Sequence, residues 1–195
     1  MGGASEPEDE PRFALPISLA AQGFVLRREG DADRPFLLGL YASTRAAELA
    51  PLPWPPEQKA AFVEMQFAAQ WRHYRATIPH GAWLIIEHQG RPVGRLYLEH
   101  GAARLQVVDI ALVDAWRDRG VGTTLLRALK ASADRQGRVL GLFVEKSNPA
   151  LRLYQRLGFR VMADTGVYLE MAWSGAAIAA VAVAKADGRA TAAPS

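Results

Sequence analysis

A chain of 195 residues, half of them hydrophobic, buries one substantial core and is short for two domains of ordinary size. It contains no cysteine, which excludes disulfide scaffolds, thiolate metal sites and cysteine nucleophiles together. The formal charge of +3 hides an acidic start, since Glu6, Glu8, Asp9 and Glu10 precede the first base, Arg12. The remainder is more basic than the total, a balance that suits nucleic acid, an anionic surface or a polyanionic cofactor.

No stretch approaches the roughly 18–20 apolar residues of a membrane-spanning helix, and the start lacks the basic-then-apolar order of a secretory signal. A soluble, cytoplasmic protein is therefore expected. Residues 1–22 read as a flexible acidic leader, 23–173 as the domain and 174–195 as a flexible Ala-rich tail. Phe24 to Arg28 reads as a strand, and Pro35 to Leu49 as a helix that the link Pro51 to Pro56 breaks. Glu57 to Thr77 resumes the helical pattern, with Val63, Phe67, Trp71 and Tyr74 on one side; packing against a sheet is the simplest reading of that stripe.

Three apolar runs follow, Trp83 to His88, Val93 to His100 and Arg104 to Val113, separated by Gln89-Gly90-Arg91-Pro92 and by Gly101, and they predict an antiparallel meander. Gly120 to about Gln136 reads as a helix with Leu126, Leu129 and Ala133 at spacings of three and four, closed by Gly137. Val139 to Glu145 is a strand. Asn148 to Gly158 spells a short helix, with Asn148 as N-cap and Pro149 at its first position. A closing hairpin runs from Phe159 to Ala163 and from Val167 to Trp173.

The chemistry centres on the passage from the strand ending near Val113, through a short basic loop, into the Gly120 helix. Unpaired amides of a first helical turn and the positive end of the helix dipole make an anion site, and phosphate is its natural guest. Gly120 and Gly122 let backbone approach a pyrophosphate, while Arg117 and Arg119 add charge at the rim. A Gly-rich helix start also serves as a plain tight turn. A dinucleotide fingerprint fails because Leu125 stands where a third Gly or Ala belongs, and a P-loop fails for want of Gly-Lys-Ser/Thr.

Ile110-Ala111-Leu112 followed by Trp116-Arg117-Asp118-Arg119-Gly120-Val121-Gly122 resembles the Arg/Gln-x-x-Gly-x-Gly/Ala motif of the GNAT superfamily of acyl-CoA-dependent transferases. The segment from Asn148 to Phe159 is similar to the same family's Asn-x-x-Ala-x-x-Leu-Tyr-x-x-x-Gly-Phe signature, and the two motifs, the strand order between them and the final hairpin cover about residues 23 to 173. The resemblance implies an α/β fold: a twisted mixed sheet of about seven strands flanked by about four helices, whose fourth and fifth strands splay apart to admit pantetheine. It implies that backbone at Ile110 and Leu112 pairs with the pantetheine. By the same resemblance the amides of Gly120, Val121, Gly122, Thr123 and Thr124 hold the pyrophosphate, and Asn148 contacts the arm. A helix cap is the competing reading of Asn148.

By the same resemblance Tyr154 is the acid that protonates the departing thiolate, with core filling as the alternative. An alkylammonium near pKa 10.4 is neutral for about one molecule in a thousand at pH 7, so a base or water relay must act as well. Relatives can carry a glutamate on the fifth strand, where this chain has Phe143. Asp109 is then the first choice of base, Glu145 the second and Glu99 or His100 the third, with a surface salt bridge as the plain reading of each.

The implied function is an N-acetyltransferase moving an acetyl group from acetyl-CoA to an amine acceptor by direct attack in a ternary complex. The alternative is a non-catalytic acyl-CoA-binding sensor or scaffold, and Tyr154 favours the enzyme. No metal, nucleic acid or membrane partner is expected; a homodimer is left open. By family analogy the first two helices and their link, Pro51 to Pro56, form one wall of the acceptor site, and their aromatic content suggests a partly apolar acceptor.

Overall fold

The structure is a computed structural model and describes residues 13–175. The segments expected as leader and tail fall outside it, except for residues 13–22 and 174–175. Within the described part, β1 (Phe24–Arg28), α2 (Arg34–Leu49), α3 (Pro56–Thr77), β2 (Ala82–His88), β3 (Arg91–His100) and β4 (Arg104–Leu112) follow in order, preceded by a single turn, α1 (Ile17–Ala20). Then come α4 (Val121–Arg135), β5 (Val139–Glu145), α5 (Leu151–Arg156), β6 (Arg160–Asp164) and β7 (Tyr168–Trp173). Residues 13–22 are built into the core, because Phe13 and Leu19 bury their side chains beside Phe24. Ordered packing thus begins ahead of the expected domain start.

The seven strands form one mixed sheet in the order β1-β2-β3-β4-β5-β7-β6. Alternation along the strands splits the core in two. Leu84, Leu96, Leu98, Leu105, Val107, Leu140 and Leu142 face α4 and α5, where Leu125, Leu126, Leu129 and Tyr154 complete the larger cluster. Ile85 faces the other way, onto Leu37, Tyr41, Val63 and Phe67 of α2 and α3. The predicted stripe on α3 is that packing surface.

Just past the end of β1 the Glu29 carboxylate accepts hydrogen bonds from Trp71 Nε1 at 3.2 Å, from Arg75 and from the Tyr97 hydroxyl. Arg75 lies over the rings of Trp71 and Trp83. The buried charge is paired, as burial requires, and it fixes α3 to β1 and β3.

The feature that shapes the site is the parting of β4 from β5. Their parallel ladder runs from Arg104 opposite Val139 to Val107 opposite Leu142 and stops there, although both strands continue. Val108 is the cause on the β4 side: Tyr97 pairs with Asp109 and Leu98 with Val107, so Val108 is a bulge with no partner on β3. A bulge bends its strand and adds twist. It also reverses the alternation, sending Asp109 to the α2/α3 face while Ile110 and Leu112 return to the α4/α5 core. Beyond Val107 and Leu142 the sheet is open as a V-shaped cleft.

Candidate active site

At one end of the cleft, β4 leads through a 3-10 turn (Asp114–Trp116) into α4. Asp118 and Gly120 have φ of 57° and 81°, so the loop needs glycine at 120, where an L side chain is strained. Gly122 has ordinary helical φ, and a Cβ built on it meets nothing within 4 Å. Its lack of a side chain leaves room outside the protein rather than inside it. The first amides of α4, at Val121, Gly122 and Thr123, have no carbonyl a turn behind them and open toward that room. Thr124 differs from expectation: its N–H donates to Gly120 O at 2.9 Å and its hydroxyl to the same oxygen at 3.0 Å, so both are spent inside the helix.

The two loop arginines divide. Arg117 folds back, its Nε donating to Leu112 O at 2.9 Å, Nη2 to Ser43 Oγ at 3.1 Å and Nη1 pairing with Asp114 at 2.7 Å. It pins the loop to β4 and to α2 instead of standing free at a rim. Arg119 is exposed, with its guanidinium 5.2 Å from the Trp116 ring centroid. Trp116 is in turn held edge-on by Phe24 at 5.0 Å and at a tilt by His88 at 4.4 Å.

The cleft wall is backbone. Val113 N–H donates to Val93 O at 2.9 Å, so by antiparallel alternation Leu112 and Ile110 point their polar groups away from β3, into the gap. Leu112 O is already taken by Arg117, leaving the Leu112 amide and both groups of Ile110 available to an extended ligand. At the far wall, Asn148 accepts a hydrogen bond from Ala150 N–H at 2.9 Å through Oδ1. The cap reading does not hold: α5 begins at Leu151 with Ala150 as its N-cap and no side-chain cap bond, and this Oδ1 closes the preceding turn Asn148-Pro149-Ala150. Only the side-chain amide of Asn148 is left for a ligand.

Tyr154 is 8% exposed, lies edge-on to Phe159, and its hydroxyl has no hydrogen-bond partner among the described residues. Burial, with the nearby Asp109 carboxylate adding to it, pushes the phenol up to about 12. Asp109 is close enough for its charge to be felt, yet its Oδ2 is held by Arg95 Nη2 at 2.6 Å. Arg95 is 3% exposed and also donates to Gln70 at 3.3 Å. Burial alone would lower the guanidinium's pKa, and the charges of Asp109 and Tyr97 more than offset it. The Nε of Arg95 is buried without a partner.

Among the other candidate bases, Glu145 ends β5 at the open end of the cleft, where it accepts a hydrogen bond from the Tyr168 hydroxyl at 3.1 Å and meets Arg45 at 3.5 Å. Glu99 and His100 are removed from the site, since they pair with Gln106 and Leu105 at the closed end of the β4–β5 ladder. Phe143 stands 55% exposed beside the cleft. Sequence reading missed Arg95, although an arginine inside the apolar run Val93 to Leu98 is a visible signal of a buried charge needing a partner. It also missed Arg45, for which the sequence holds no signal.

Among the described residues no cluster of His, Asp and Glu has the arrangement of a metal site, and no helix is long and apolar enough to cross a membrane. Residues 45–159 match the model of the acetyltransferase (GNAT) family. The fold is shared with the PaiA N-acetyltransferase from Thermoplasma acidophilum solved in complex with coenzyme A, at 15% identity and a TM-score of 0.59 over 76% of this chain and 97% of that one. An acetyltransferase from Thermus thermophilus aligns at 20% identity and a TM-score of 0.55 over 77% of this chain and 96% of that one. Apo FdhC, a nucleotide-linked sugar GNAT, aligns at 11% identity and a TM-score of 0.55 over 85% and 94%. Among curated proteins none matches the chain.

Proposed function

The chain belongs to the acetyltransferase (GNAT) family, and we propose that it is an acetyl-CoA-dependent N-acetyltransferase acting on an amine by direct attack in a ternary complex. The observation that carries this reading is the break in the β4–β5 ladder after Val107 and Leu142, with unpaired helix amides at one end and the Tyr154 hydroxyl beside it. The residues fit the cofactor. Gly122 leaves open space where a pyrophosphate meets the amides of Val121, Gly122 and Thr123, Arg119 adds a positive charge from its perch on Trp116, and Ile110 offers an unpaired strand edge to the pantetheine amides. Arg117 acts by bracing the loop.

The bound thioester supplies an electrophilic carbonyl carbon; the amine nitrogen bonds to it, the carbon–sulfur bond breaks, and the products are an amide and the free thiol. Asp109 is suited to receive a proton from the incoming ammonium through the oxygen that Arg95 leaves free, directly or through water. Tyr154 is suited to the sulfur. A phenol near 12 is a weaker acid than a thiol near 8.5, so its hydroxyl serves first as a hydrogen-bond donor to the developing thiolate. It passes its proton as the nitrogen sheds one, which restores the phenol. Net release is one proton to solvent for each ammonium consumed.

The test is a panel of primary amines with acetyl-CoA, reading free thiol and the acetylated product. Thiol release that requires an amine, with matching amide, is the expected result; a protein that binds acetyl-CoA and turns over no amine is a binding domain instead.

A further inference from the structure

A cavity of about 220 Å³ opens between α2, the proline-rich link after it and α3, and its walls are Tyr41, Leu49, Leu52, Trp54 and Phe62. Trp54 and Phe62 meet edge-on at 5.4 Å, so aromatic faces and edges line the space. A core serving only stability closes such a gap, because walls held apart lose their dispersion contacts. Dry apolar cavities of about 150 Å³ take benzene. This one has room for a single ring with a short aliphatic tether.

Its position links it to the cleft. Tyr41, Arg45 and Glu48 lie on one stripe of α2 at helical spacing, and Arg45 and Glu48 form the lip of the cavity. The Arg45 guanidinium covers the Tyr41 ring, pairs with Glu48 at 3.1 Å and reaches Glu145 at the end of β5 at 3.5 Å. On the neighbouring stripe, Ser43 accepts from Arg117 of the loop before α4. Helix α2 therefore spans the mouth of the cleft, with the cavity on one side of Arg45 and the parted strands on the other. Two carboxylates against one guanidinium give that lip an excess of negative charge, which draws an ammonium inward.

We propose that this cavity holds the aromatic ring of the acceptor, and that the acceptor is therefore an arylalkylamine whose amino group extends past Arg45 into the cleft. The proposal rests on the acyl-transfer reading above. Apart from Gln66 and the charged pair at the lip, the lining is aliphatic or aromatic, so acceptors with polar arms are disfavoured there by the hydrogen bonds they lose to water.

The test compares 2-phenylethylamine with ethylamine in the wild type, in Leu52→Trp, which fills the cavity from the link, and in Leu52→Ala, which enlarges it. The wild type is expected to favour 2-phenylethylamine by at least about tenfold in kcat/KM, within the range that filling an apolar pocket supplies. Leu52→Trp should erase that preference while ethylamine turnover and the acetyl-CoA-induced rise in melting temperature stay as in the wild type. Leu52→Ala should improve 2-(1-naphthyl)ethylamine relative to the wild type. A wild type indifferent to the ring, or a Leu52→Trp variant that keeps the preference or loses both amines equally, overturns the proposal. If no amine is acetylated, the acyl-transfer reading fails by itself and calorimetric titration of 2-phenylethylamine still decides. Binding by the wild type that Leu52→Trp abolishes upholds the cavity as an aryl-amine site, and binding that is absent or unchanged overturns it.

Discussion

Two parts of the cleft are made of different material. The part at α4 is built from backbone: unpaired amides, a left-handed glycine and a strand edge, all within residues 110–124. The other part is built from side chains brought together over long sequence distances, Arg95 with Asp109, and Arg45 with Glu145. A site of the first kind tolerates change in almost any side chain but not in the glycines. The second kind depends on its partners, most of all at Arg95 and Asp109, where burial leaves an abandoned charge with nowhere to go.

The sharpest way to break this contrast is Arg95→Ala. Losing one member of a buried ion pair is expected to lower the unfolding free energy by about 3–5 kcal/mol, read by urea denaturation, and a loss under about 1 kcal/mol would mean that water already reaches Asp109. Next comes Tyr154→Phe, which keeps the buried ring and removes the hydroxyl. Turnover should fall at least about tenfold, toward the 100- to 10,000-fold typical of a lost general acid, with acetyl-CoA affinity unchanged; normal turnover would reduce Tyr154 to packing.

Tyr154 also sets a test in pH. Its phenol lies near 12 in the fold and near 10 in the unfolded chain, so the unfolded state gives up a proton first as pH rises. The stabilisation is complete below about pH 10 and is lost between about 10 and 12. Burial raises Tyr74 and Tyr97 as well, adding to the same alkaline fall, and Tyr154→Phe should make its slope shallower.

The smallest effects belong to the part built from backbone. Gly120→Ala should cost about 1–2 kcal/mol for its positive φ. Gly122→Val should leave the ligand-free melting temperature nearly unmoved, since its Cβ meets nothing, and yet abolish the rise that acetyl-CoA produces, about 2.7 kcal/mol at a hundredfold excess over Kd. A variant that still responds to acetyl-CoA would remove the loop from the binding site.

The same contrast explains what was legible in the sequence. The strands, the long helices and the loop at Gly120 are local patterns of period and turn chemistry, and β1 and β5 were read to their end residues. The backbone part of the candidate site was legible with them as local geometry, because its pieces are neighbours in the chain. Side-chain commitments were not: nothing local says that Arg117 turns back to Leu112 O, that the Thr124 amide is spent on Gly120, or that Asp109 is tied to Arg95. The early start of packing at Phe13 was hidden for the same reason, since a lone aromatic residue shortly after an acidic run shows its burial only once Phe24 and its neighbours are in place.

Val108 shows how much a single position sets. Deleting it would leave the rest of β4 in its present register, because Asp109 would still stand opposite Tyr97 and Ile110 opposite Leu96, but it would take away the bend that carries the strand off β5. The ladder that now stops at Val107 and Leu142 would be free to run on, and the strands would spend on each other the peptide groups they now aim across the gap. Composition, net charge and almost every residue would be kept, and the cleft would be gone. For anyone redesigning this scaffold, the length of β4 is thus a stricter variable than its content: substitutions along it are negotiable one by one, whereas one residue fewer zips the opening shut.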